Sequence, residues 1–217
     1  MKMRRVVAGL VAIALGLVMG PAMASGNSYT VAVGGSSTSG EATFSASTDS
    51  SLAYSLEKPD GTFLNLTCAS ASIPSSPSSI VHKGVSIVDI GEITKMYFNS
   101  CTWPGGTATV VTSGVWKLHG VSGATSASTD TVRVHLENIT IAFSTAICSY
   151  RVTGGLDGTF SESTQKLTID EKADGAGQEA TVTNVVGCLG GVKNNGKFKL
   201  QGTFSTSVAG GSVNLMP

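Results

Sequence analysis

In Val132-Arg133-Val134-His135-Leu136-Glu137 apolar and polar side chains alternate residue by residue. That period of two puts them on opposite faces of an extended chain and matches no face of a helix. Ile139, Ile141 and Phe143 continue the alternation after an irregularity expected at Asn138. The same pattern sets Trp116 and Leu118 against Lys117 and His119, Tyr150 and Val152 against Arg151, Leu167 and Ile169 against Lys166 and Asp170, and Phe198 and Leu200 against Lys197 and Lys199. Strands with one apolar face belong to antiparallel sheets, because parallel strands covered on both sides read as continuous apolar runs. No amphipathic stretch of helical length separates them, so a βαβ architecture is disfavoured.

The expectation is therefore an all-β protein, an antiparallel β-sandwich or β-barrel, with a dozen or more short strands in a single domain over residues 25–217. Composition agrees. Ser, Thr and Gly supply 29, 24 and 27 of the 217 residues, and only 13% of the chain is charged, a balance that suits strands and turns better than helices. Loops are expected at Ser72–Ser79 and Gly123–Ser128, and hairpin turns at Asp174–Gly177 and Lys193–Gly196, the last with an Asn-Gly pair suited to a type I′ turn. Phe44, Phe160 and Phe204 each sit in a Thr-Phe-Ser motif, with Phe63 in a looser copy. Their irregular spacing excludes a solenoid and reads as a Phe turned inward on a hydroxyl-rich strand.

The first 24 residues form a separate unit. Lys2, Arg4 and Arg5 precede an apolar run from Val6 to Met19, then Gly20-Pro21 and Ala22-Met23-Ala24. This is the plan of a helical signal peptide with cleavage after Ala24, and the run is too short to span a bilayer. Loss of three cations leaves 11 basic and 14 acidic residues, a mildly acidic exported chain without the basic footprint of a nucleic-acid binder. The expected location is outside the cell or on its envelope.

Export gives the four cysteines their meaning. Cys68, Cys101, Cys148 and Cys188 are an even set without C-x-x-C spacing or neighbouring His, so two disulfides are expected rather than a zinc site. Three pairings are open. Cys68 with Cys101 and Cys148 with Cys188 close the shorter loops and are the expected pair.

Reactive constellations are sparse. His119 and His135 fall on polar strand faces and read as surface residues, Gly120-Val121-Ser122-Gly123-Ala124 lacks the last glycine of a nucleophile elbow, and no H-E-x-x-H occurs. The acids mark turns, as Asp60 and Asp157 do before glycines, and no pair stands out for glycoside cleavage. Asp170, Glu171 and Asp174 lack the order of a calcium loop. No catalytic residue, metal ligand or cofactor is assigned. Trp103, in a turn beside Cys101, is the one candidate ligand-binding residue, as a platform for a sugar or lipid or as packing over the disulfide. Trp116 reads as core.

Gly114-Val115-Trp116-Lys117-Leu118, Ile147-Cys148-Ser149-Tyr150-Arg151-Val152-Thr153-Gly154, Gly158-Thr159-Phe160, Gly187-Cys188-Leu189-Gly190 and Gly202-Thr203-Phe204 resemble segments of a group of small secreted, cysteine-paired β-rich proteins of actinomycete-type bacteria. The resemblance spans roughly Leu66 to Val208 and implies an exported, disulfide-bonded β protein, with no catalytic residue to carry over. The leading expectation is a non-enzymatic extracellular or envelope-associated protein with a binding or structural role, its partner an envelope component or an apolar small molecule. Three rivals stand beside it: a lipid carrier with a barrel cavity, an oligomeric membrane-inserting β protein, and a hydrolase using paired carboxylates.

Overall fold

A computed structural model describes residues 27–171 and 180–217. The expected leader and cleavage site, and the Asp174–Gly177 turn, lie outside them. The described residues form strands only: β1 (Tyr29–Val33), β2 (Gly40–Thr48), β3 (Leu52–Glu57), β4 (Phe63–Ile73), β5 (Ser79–Ile87), β6 (Asp89–Ile93), β7 (Tyr97–Trp103), β8 (Gly106–Thr112), β9 (Trp116–Ser122), β10 (Thr131–Ser144), β11 (Ser149–Ser161), β12 (Lys166–Asp170), β13 (Thr181–Val186), β14 (Gly196–Val208) and β15 (Val213–Met216). No helix among them is long and apolar enough to cross a membrane.

All strand pairs are antiparallel and the sheet closes on itself as a barrel, which decides between the two expected architectures. One ring runs β14–β2–β5–β6–β9–β10–β11–β12 and back to β14. A second runs β14–β3–β4–β7–β8–β10–β11–β13 and back. The rings are stacked levels of one wall: β10, β11 and β14 pass through both, while shorter strands share the remaining staves end to end. β12 and β13, for example, pair with successive stretches of β11. Added strands β1 and β15 extend the first level by pairing with each other, and β1 also pairs with β5. Staves follow chain order, so the barrel is a meander whose seam joins its first and last strands.

The alternation in sequence becomes inside and outside. Val132, Val134, Leu136, Ile139, Ile141 and Phe143 of β10 are buried, and the expected irregularity is a register shift between Leu136 and Ile139 with Asn138 at φ 59°. That extra residue keeps the apolar set inward on both sides of it. Phe44, Phe160 and Phe204 point inward and are buried, while Phe63, the loose copy, is partly exposed under the Lys199 ammonium. Two inward glycines make room that a side chain would take: Gly120 lies against the Tyr29 ring and Gly202 against Leu52. At Lys193–Gly196 the expected type I′ turn is corrected. Only Asn195 has positive φ, at 59°, and Gly196 closes the turn onto the Lys193 carbonyl and starts β14. The Ser72–Ser79 loop spans the step from β4 to β5, with a cis Ser76–Pro77 bond.

The interior is packed. In the first level Phe44, Val81, Ile90, Val134, Phe160 and Leu167 surround a cavity of about 30 Å³, roughly the room one water occupies. The second level holds aromatic rings: Phe143 stacks on Tyr150 at 4.8 Å and 13°, and Tyr54 lies 5.3 Å from Phe143 and 6.3 Å from Phe198. Barrels with eight strands per ring have an interior about wide enough for side chains to fill.

Both disulfides join the expected partners. Cys68 and Cys101 face each other directly across β4 and β7, with Cα atoms 3.8 Å apart. Cys148 and Cys188 tie the β10–β11 turn to the β13–β14 loop, with Cα atoms 4.4 Å apart. Such bonds fit an extracellular or otherwise oxidising environment.

Candidate functional site

Four connections meet at the open end of the second level: β3–β4, β7–β8, β10–β11 and β13–β14. At this tip end the chain exposes aliphatic groups that folding leaves uncovered. Leu189 is 89% exposed, Val186 65% and Ile147 57%. They are neighbours, since Ser149 pairs with Val186, the Cys148–Cys188 bond lies between them, and a side chain at Gly187 would strike the Ile147 carbonyl. Local sequence explains the shape. The Thr145 hydroxyl receives the amide N–H of Cys148 at 3.0 Å and of Ile147 at 3.3 Å, folding the β10–β11 turn tightly. Across from it, Gly187, Leu189 and Gly190 all adopt positive φ, and the Gly191 amide closes on the Cys188 carbonyl at 2.8 Å. Leu189 thus spends a left-handed backbone conformation to hold an uncovered side chain at a loop apex.

Trp103 stands beside this group. It ends β7, is partly buried, and packs its ring 6.0 Å from Tyr150 at 39°. Its outer edge borders a shallow groove of about 380 Å³ shared with Pro104, Thr107 and the Thr145–Ile147 turn. The ring packs inward on Tyr150 and its rim borders the groove. Trp116, 1% exposed, is core.

Charge is segregated along the barrel. The segments forming the tip end (residues 55–65, 101–108, 144–153 and 181–199) carry five cations, Lys58, Arg151, Lys193, Lys197 and Lys199, against two anions, Glu57 and Asp60. The remaining described residues carry five cations against ten anions. Lys193 bonds Glu57 at 2.6 Å, and with the Lys197 amide at 2.9 Å it holds the Glu57 carboxyl below its ordinary range. Asp60 is held down by the Thr62 hydroxyl and amide in its own turn.

All three His lie on the outside of the first level, in a belt of acids that the sequence did not reveal as a unit. Across β6, β9, β10 and β11 the directly opposed residues are Asp89, His119, His135 and Asp157. His119 Nδ1 is 3.2 Å from Asp89 and its Nε2 3.1 Å from Glu137, as ion-pair contacts without hydrogen-bond alignment. His135 Nδ1 meets Asp157 at 2.6 Å, and Lys117 meets Asp89 at 2.5 Å. Those two bonds are the main reasons why the Asp157 and Asp89 carboxyls lie below their ordinary range. The expectation that His119 and His135 are surface residues is corrected: both face outward, yet they are only 6% and 5% exposed, because acids and long side chains from adjacent strands cover them. Alternation located each ring on the outer face, while their meeting depended on register. His82 continues the belt, with Glu41 at 3.9 Å and Glu92 at 3.7 Å on opposite ring nitrogens.

This belt is a lattice of His–carboxylate contacts and not a chelate. The acids of His119 and of His82 meet opposite ring nitrogens, and among the described residues no group of three His, Cys, Asp or Glu could hold a metal ion. Of the sequence's calcium candidates, Glu171 receives the Asp157 amide at 2.7 Å and Asp170 receives Gln201 at 2.8 Å. Burial pushes the Glu162 carboxyl above its ordinary value. Its two oxygens receive the Leu215 amide at 2.5 Å and the Asp130 amide at 3.2 Å. It latches β15 to the barrel.

Comparison of the chain with family models, with curated proteins and with solved structures found no match in any of the three.

Proposed function

We propose that this is an exported, non-catalytic barrel of the extracellular space or cell envelope, and that it binds a partner through its tip end. The observation that carries this reading is the clustering of Ile147, Val186 and Leu189, uncovered, around one disulfide at one end of a barrel whose interior is packed. Soluble monomers rarely leave neighbouring large aliphatic groups in water without a contact to make. The disulfides support export, since such bonds persist in oxidising compartments, and Cys148–Cys188 lies directly under the exposed groups.

Other observations weigh against the rivals. A cavity of about 30 Å³ is small against the several hundred Å³ of a ligand pocket, which argues against a lipid carrier. Outward positions of β14 are Lys197, Lys199, Gln201, Thr203, Ser205 and Ser207, a polar wall unlike the apolar band of a membrane-spanning barrel. Paired-carboxylate hydrolysis uses two acids held in different protonation states. Here Asp89 is tied to Lys117, and Glu162 to backbone amides.

The test is retention on isolated cell envelope by the exported protein and by an Ile147→Asp/Leu189→Asp variant. Both positions are exposed, so folding should survive, as checked by circular dichroism and non-reducing electrophoresis. The variant should lose retention at least tenfold; equal retention of the two proteins, or none by either, would sink the reading.

A further inference from the structure

We infer that the partner of the tip end is an anionic lipid surface. This rests on the tip-end binding reading and makes its partner specific.

Three independent features converge. The first is shape. The exposed aliphatic groups stand on separate connections, Ile147 on β10–β11 and Val186 and Leu189 at β13–β14, with the Trp103 hairpin beside them. They protrude, and the groove that Ile147 shares with Trp103 is shallow. A fluid lipid interface deforms around protruding side chains, whereas a protein partner must present matching hollows. A sugar surface would call for several coplanar aromatic rings, and the tip end offers Trp103 with Phe63 on a separate strand under the Lys199 ammonium.

The second is charge. The segments that form the tip end hold five cations against two anions, with Lys193 bonded to Glu57 and Lys58 near Asp60, and five against ten occupy the rest of the described molecule. A barrel with this axial asymmetry presents its tip end to a negative surface and turns its acidic belt away. Lys193 sits in the same loop as Leu189, and Arg151 lies two residues beyond Ser149, the partner of Val186. Cations therefore neighbour the apolar tips in the loop and in the strand register. This aliphatic core within a basic collar is the composition by which surface-seated proteins join apolar insertion to attraction for anionic lipid.

The third is rigidity. Cys148–Cys188 fastens the two aliphatic connections to each other, and the Trp103 ring is braced on Tyr150. The surface is in place before contact, so little ordering entropy opposes docking. Trp103 has the amphipathic ring that favours the boundary between headgroup and acyl chain.

The experiment is co-sedimentation of the exported protein, its leader absent by mass, with vesicles of phosphatidylcholine alone or with 30% phosphatidylglycerol. Expected are at least tenfold tighter binding to the anionic vesicles, a tenfold or greater loss between low salt and about 0.5 M salt, and loss of at least tenfold in Ile147→Asp/Leu189→Asp. Brominated lipid should quench wild-type tryptophan emission, a signal assignable to Trp103 because Trp116 is 1% exposed. Equal binding to both vesicle types would overturn the inference, as would anionic binding that Ile147→Asp/Leu189→Asp leaves intact. Tip-dependent retention on cell envelope without vesicle binding would overturn the lipid inference and leave tip-end binding standing. Absence of both would overturn both.

Discussion

The two levels of the barrel share β10, β11 and β14 yet are stabilised by different means. The first encloses aliphatic side chains with Phe44 and Phe160 around a small void and is braced outside by the His–carboxylate belt and by Glu162, which holds β15. The second encloses an aromatic column from Trp103 through Tyr150, Phe143 and Tyr54 to Phe198, and both disulfides belong to it. Polar atoms within the column are few. The Tyr54 hydroxyl donates to the Thr102 carbonyl at 2.8 Å and burial pushes its pKa up to about 12, while the Tyr150 hydroxyl is buried without a partner and is pushed up further by the same cause. The level that carries the exposed tips is thus also the one with both disulfides and the aromatic column. The binding proposed for this end would gain from such covalent and aromatic support of its uncovered aliphatic groups, while the far level is braced by polar side-chain contacts.

The sharpest way to break this contrast is to remove the centre of the column. Phe143→Ala should cost about 4 kcal/mol of unfolding free energy, against about 2 for Val134→Ala beside the void of the first level, as read from urea midpoints; equal losses would remove the distinction between the levels. Next in size is Cys68→Ser/Cys101→Ser. A crosslink of separation 33 contributes between about 3 and 4 kcal/mol by loop entropy, and a midpoint unchanged by the substitution would show that the aromatic column stands without it.

The smallest effect belongs to the belt. Asp89 and Asp157 have folded pKa values below their unfolded ones, so their contribution is complete above the ordinary carboxylate range and is lost as pH falls through the depressed values. Both side chains are partly solvated, which limits the loss to the order of 1 kcal/mol. Stability measured from pH 6 down to pH 3 should fall less in Asp89→Asn/Asp157→Asn than in the wild type, and parallel curves would remove the belt from the account.

Much of the fold was legible because alternation is a local signal. Val132 to Leu136 announced their faces without any partner, Asn138 marked the bulge, and the short separations of Cys68–Cys101 and Cys148–Cys188 suit a meander in which neighbours in sequence become neighbours in the wall. Barrel and sandwich were not separable from residues, because closure depends on whether β14 reaches β2 and β3, a pairing across most of the chain. The site was legible in fragments. Trp103 and the lysines at 193, 197 and 199 were visible, but Ile147 and Leu189 read as ordinary apolar residues beside cysteines. Their exposure follows from the Thr145 turn and the positive-φ run at 187–190. His119 and His135 required cross-strand register, which alternation does not encode.

The seam has a consequence for how the barrel comes into being. Val33 meets Val213 and Phe44 meets Val208, whereas the other staves are joined to those that precede and follow them in the chain. A polypeptide that emerges from its N terminus can zip stave to stave, yet it remains an open sheet with two bare edges until β14 and β15 arrive. Closure is a single late event, so the interval before it is when the chain is most open to proteases and to pairing with other copies of itself.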